Sequence, residues 1–156
     1  MTKLIALLLS MAAVLVPSAG TAHDHAGKVI EIDHAWAPAM AEPENKATPV
    51  YLIIKNRSGA SDRLIGARAS VAGGVEIHDA GNAPKSVATL AIGTGEDLEL
   101  SSVGPHLYLT GVNRQLQLHD SFKMALEFER SGRVVVDVNV EDPAIPDGSA
   151  HHHHAD

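Results

Sequence analysis

The chain has 156 residues, a formal net charge of −7 with histidine neutral, ten histidines and no cysteine. The acidic balance argues against nucleic acid and anionic membranes as partners. The missing cysteine excludes disulfides, thiol nucleophiles, cysteine-based zinc sites and the blue-copper type of electron-transfer centre.

The amino terminus reads as a targeting segment. Lys3 supplies a basic start, and Leu4 to Val16 is apolar. That run is shorter than the roughly 20 residues a membrane span needs. Pro17 and Ser18 break it, and Gly20-Thr21-Ala22 offers small residues for signal-peptidase cleavage. Residues 1–22 are therefore expected to be a signal peptide, with cleavage after Ala19 as the competing position and a membrane anchor as the competing role. Export to the periplasm follows from this reading. Cleavage after Ala22 leaves a mature chain that begins His23-Asp24-His25, and residues 23–28 form a short polar arm.

From residue 29 the dominant period is two, the period of β-strands. In the first strand Ile30, Ile32, His34 and Trp36 are expected to share a face. Pro49 to Ile54 is a nearly continuous apolar run, and Arg63 to Ala67, Gly74 to His78, Asp97 to Leu100 and His106 to Leu109 follow as short strands. Ser121 to Phe128 alternates, with Phe122, Met124, Leu126 and Phe128 on one face. In Arg133 to Val140 the valines at 134, 136, 138 and 140 align. Turn clusters separate them: Asn56-Arg57-Ser58-Gly59, Ala72-Gly73-Gly74, Gly93-Thr94-Gly95, Gly104-Pro105 and Arg130-Ser131-Gly132. Short strands with turns about every ten residues predict an all-β sandwich over residues 29–140. Residues 141–156, rich in proline, glycine and histidine, are expected to be a disordered tail.

Histidines carry the candidate chemistry. After cleavage at Ala22, the amine and imidazole of His23 can chelate one metal ion, and a further histidine completes the three-nitrogen set called a histidine brace. The same tripeptide offers a competing mode, in which the amine, two backbone amides and His25 form a square-planar site. Both suit Cu(II), which favours tetragonal nitrogen ligation; a leader with idle histidines is the plain alternative. His78 ends one strand and His106 opens another, where strands meet loops. On the second strand His106, Tyr108 and Thr110 share a face, while Leu107 and Leu109 point to the core. Read alone, these two are as easily surface histidines.

A resemblance raises their standing. Ile32-Asp33-His34-Ala35-Trp36, Pro49 to Asn56, Asp62 to Ala67, Val75-Glu76-Ile77-His78 and Pro105 to Gly111 resemble, in order, the PCu(A)C family of periplasmic copper chaperones. The resemblance implies a cupredoxin-like β-sandwich, copper held by two histidines and methionines, and an acceptor cuproprotein as partner. His78 and His106 match the family's two histidines. The sulfur ligands do not carry over: Asp79-Ala80 and Leu107-Tyr108 stand where methionines are expected, and no methionine lies between His78 and His106. Thioethers favour Cu(I), and nitrogens suit Cu(II). The expected function is therefore Cu(II) binding and delivery through His78, His106 and His23, with His25 as the competing ligand. Two other classes stay open: an interaction module whose metal site has decayed, and a histidine-brace oxidase, against which the sparse aromatic residues speak.

The remaining candidates rank lower. Met124 reads as core, and Met40 as gap-filling, with a thioether donor as its other role. His34 reads as a core or boundary histidine, and His119 as a surface turn. His151 to His154 are a loose metal-scavenging tract, or an engineered tag.

Overall fold

The computed structural model describes residues 29–40, 47–81, 83 and 85–143. The expectations on the signal peptide, the amino-terminal arm and residues 144–156 lie outside them.

Ten strands and no helix occur among the described residues: β1 (Ile30–Pro38), β2 (Ala47–Asn56), β3 (Asp62–Ala69), β4 (Ala72–His78), β5 (Ser86–Val87), β6 (Leu90–Ile92), β7 (Asp97–Leu100), β8 (His106–Val112), β9 (Ser121–Phe128) and β10 (Gly132–Glu141). They hydrogen-bond in the order β5-β4-β8-β2-β1-β10-β9-β3-β6. Pairings are antiparallel except that β1 runs parallel to β10. One edge of β2 serves two partners in turn, β8 along Ala47–Val50 and β7 along Leu52–Lys55. Between β3 and β4 only Ser70 and Val71 intervene, so the path curls back over itself and closes a barrel-like sandwich.

Alternation decides what this shape encloses. Val50, Leu52 and Ile54 of β2, Leu107 and Leu109 of β8, Met124 and Leu126 of β9, and Val138 and Val140 of β10 are all buried. Each such side chain contributes about 1.5–3 kcal/mol on burial. The alternation read for Ser121–Phe128 and for the valines of β10 holds.

Three departures have local causes. Two residues of β1, His34 and Ala35, oppose one residue of β2 between the pairs Asp33↔Ile53 and Trp36↔Tyr51. His34 adopts φ 45°, so this is a β-bulge. The bulge reverses the alternation: Ala35 and Ala37 turn to the core, and His34 and Trp36 turn outward. The expected shared face of Ile30, Ile32, His34 and Trp36 is therefore corrected. Second, Ala72-Gly73-Gly74 is strand and not turn. Gly74 lies opposite Thr110, whose Oγ1 would stand 2.8 Å from a Cβ there, so a side chain at this position would have to displace the Thr110 hydroxyl. Third, β5 and β6 are two and three residues long, too short to display a period. Glu141 also belongs to β10, one residue past the expected edge.

A buried carboxylate ties two hairpins together. Asp62, at the start of β3, accepts hydrogen bonds from the backbone amides of Arg63, Arg130 and Ser131, the last two in the β9–β10 turn. Burial pushes its pKa up, but the hydrogen bonds from Ser131, Arg130 and Arg63 outweigh that and hold it below the ordinary carboxylate value. A depressed folded-state pKa adds stability above the unfolded value, and that stability is lost as pH falls through the lower folded value. Asp62→Ala should cost about 2–4 kcal/mol by chemical denaturation at neutral pH. The difference from the parent should shrink in acid, where the parent loses the contribution.

Candidate metal centre

The pairing of β4 with β8 builds the site. Its register sets Gly74 against Thr110, Glu76 against Tyr108 and His78 against His106. Ile77 of β4 and Leu107 and Leu109 of β8 are buried in the core. Strand alternation then sends Glu76, His78, His106 and Tyr108 to the opposite face. His78 is the last residue of β4 and His106 the first of β8, so the pair closes the ladder beside the loop Ser101–Pro105.

The two imidazole rings stand 5.3 Å apart, centroid to centroid, at 64°. Two imidazoles bound to one ion through bonds of about 2.0 Å would have centroids roughly 4.5–6.5 Å apart. The spacing fits a shared ion. His106 is only 8% exposed, and its Nδ1 lies 3.2 Å from the Gly104 carbonyl oxygen. A carbonyl only accepts, so Nδ1 carries the hydrogen and Nε2 keeps the lone pair. His78 is more open, with its Nε2 3.0 Å from Oε2 of Glu76.

Aromatic rings flank the pair. Tyr108 stacks on His78 at 5.0 Å and 21°. Tyr51 approaches His106 at 6.3 Å, and Trp36 lies 4.9 Å from Tyr51. The row crosses β1, β2, β8 and β4. Burial pushes the Tyr51 phenol pKa up, so it remains protonated at neutral pH. Beside this row opens a cavity of about 630 Å³, lined by Trp36, Tyr51, Val103 and Pro143 among others. Val103, at its rim, is 86% exposed. Three of the chain's five aromatic residues, sparse as they are, gather here. Tyr108 was visible from alternation, but the bulge concealed Trp36.

The other candidates separate from this place. His34 is half exposed, with Nε2 3.5 Å from a carboxylate oxygen of Glu141, and is not a core residue. His119 lies exposed in a turn, as expected, with φ 70°. Met124 is fully buried, while Met40 bridges to Leu116 and packs on the core. His23, His25 and His151 to His154 lie outside the described residues. Among the described residues, no group of three or more His, Cys, Asp and Glu side chains is arranged to hold a metal. Glu76 and the ring orientations were not legible beforehand; a carboxylate two residues before a histidine on one strand was the available signal.

This all-strand, cupredoxin-like architecture is the fold of PCuAC domains. The chain belongs to the LpqE-like family, described as LpqE-like lipoproteins, whose model matches residues 30–140. It is similar to the apo PCuAC domain from PmoF1, with 26% identity and a TM-score of 0.68 over 75% of this chain and 96% of that one. The copper-bound PCuAC domain from PmoF2 matches at 27% and 0.65, over 75% and 95%. The fold is shared with Cu(I)-bound DR1885 from Deinococcus radiodurans, at 23% identity and 0.64 over 81% and 87%. No curated protein sequence matches.

The two histidines differ structurally. His106→Ala should destabilise the protein by about 1–2 kcal/mol, because it removes a buried side chain and its bond to Gly104. His78→Ala should cost less, about 0.5 kcal/mol. Denaturant midpoints of the metal-free variants measure both.

Proposed function

We propose that this protein is an exported copper-binding protein, a periplasmic copper chaperone that carries Cu(II) on nitrogen ligands and passes it to an acceptor cuproprotein. The observation that carries this reading is the cross-strand pair His78↔His106, whose rings are 5.3 Å apart. The copper-bound state of the similar PmoF2 domain supports copper as the ion. The family's description as lipoproteins supports export.

The oxidation state follows from the donors. Met124 is sealed in the core and Met40 packs against Leu116, so soft sulfur ligation is not the natural mode. Imidazole and amine nitrogens favour Cu(II). In this reading the amine and imidazole of His23 complete the set, and His25 offers the competing square-planar mode at the same amine. The reach is demanding. Trp36, level with Tyr51 beside His106, is six residues from Ile30, about 20 Å along β1. The seven residues from His23 to Ile30 span at most about 25 Å. His23 therefore reaches the pair only with its arm nearly extended along the sheet. The relatives named above are binding domains, and the reading is one of binding without turnover.

Mass spectrometry of the exported protein should give His23 as its first residue. The authentic protein should bind one Cu(II) tightly, with an EPR spectrum of nitrogen ligation. Adding one residue before His23 should weaken binding about 100-fold, near 2.8 kcal/mol, and the double variant H78A/H106A should abolish the native spectrum. Unchanged binding by the extended protein would remove His23 from the site. The incomplete donor set among the described residues favours one second reading, an interaction module with a decayed metal site. Authentic protein that stays metal-free in excess Cu(II) would establish it.

A further inference from the structure

Glu76 and His78 lie two residues apart on β4 and so share its outward face. Oε2 of Glu76 stands 3.0 Å from Nε2 of His78. An ionised carboxylate has only acceptors. In the neutral imidazole this contact requires the hydrogen on Nε2, which leaves the lone pair on Nδ1. His106 has the opposite arrangement, with Nδ1–H donated to the Gly104 carbonyl and the lone pair on Nε2.

We propose that Glu76 is the positioning residue of the histidine pair: its carboxylate fixes the tautomer of His78, so the pair presents one Nδ1 and one Nε2 to a shared ion. The copper reading above supplies only the identity of that ion. Two further features support the assignment. Tyr108, opposite Glu76 across the ladder, stacks on the His78 ring and restrains its plane, which leaves the carboxylate to select the nitrogen. Glu76 also does not join the two imidazoles in a three-ligand group, so it acts through His78. Carboxylates that accept the distal N–H of a metal-binding histidine raise the ligand's basicity and fix its orientation. Mixed ligation also brings the ion nearer to β4 than to β8, because Nδ1 lies closer to the backbone than Nε2.

The test begins on metal-free protein, by ¹⁵N NMR of the imidazoles near pH 8. His78 should show a protonated Nε2 and a bare Nδ1, and His106 the reverse. Glu76→Ala should turn His78 into a mixture of tautomers, and Glu76→Gln, whose amide oxygen still accepts, should retain the single form. Glu76 is about half exposed, so both variants should keep the parent's fold. Cu(II) affinity should fall about 10–100-fold in Glu76→Ala and far less in Glu76→Gln. Two results would overturn the proposal: a His78 tautomer unchanged in Glu76→Ala, or a Glu76→Gln variant that keeps the tautomer yet loses affinity as fully as Glu76→Ala, which would make Glu76 a ligand. A parent protein that binds no Cu(II) would defeat the copper reading alone, since the tautomer is read without metal.

Discussion

Ile77 packs inward from β4, and Leu107 and Leu109 pack inward from β8. Burying these residues admits one register between the two strands. A slip of one residue would carry polar groups into the core and apolar ones into water. The same register brings His78 and His106 face to face on the outer side. At about 1.5–3 kcal/mol per buried side chain, the core holds the two imidazoles together. The pair is thus preorganised by hydrophobic burial on the reverse face of the sheet.

Around that pair the sheet arranges unlike neighbours. His106 is buried and tied to a loop carbonyl; His78 is more open and tied to a carboxylate. Tyr108 covers one ring, while Tyr51 and Trp36 extend the surface toward β1. Trp36 takes part only because the bulge at His34 adds one residue to β1. Without it Trp36 would point to the core and the row would end at Tyr51. The cavity beside the row and the exposed Val103 give the site an apolar flank.

Most of the sandwich was legible in the sequence because most strands bury one face only. Ser121–Phe128 and the valines of β10 state their alternation openly, and Leu107 with Leu109 assigned His106 and Tyr108 to the outer face. The bulge was not legible: a single extra residue leaves no mark in composition, and Trp36 was accordingly given the wrong face. Gly73 and Gly74 imitate a turn, although they belong to β4 and Gly74 leaves room for the Thr110 hydroxyl across the ladder. At the site, the two histidines could be named from the resemblance, but their ring orientations, and with them Glu76, depend on contacts between β4 and β8 that only the fold supplies. His23 and His25 lie before the described residues, and their part rests on the cleavage position.

The parallel pairing of β1 with β10 has a consequence for the ends of the fold. Trp36 pairs with Asn139 and Pro38 with Glu141, so the chain enters β1 at the end of the sheet remote from the histidines and leaves β10 at the same end as them, three strands from β8. Pro143 already lines the cavity next to Tyr51. The length of β1 thus works as a ruler. In the proposed reading, an arm two residues shorter would span at most about 18 Å, less than the roughly 20 Å it has to cover along β1. On that reading, reach through the amino terminus has a threshold and no gradient.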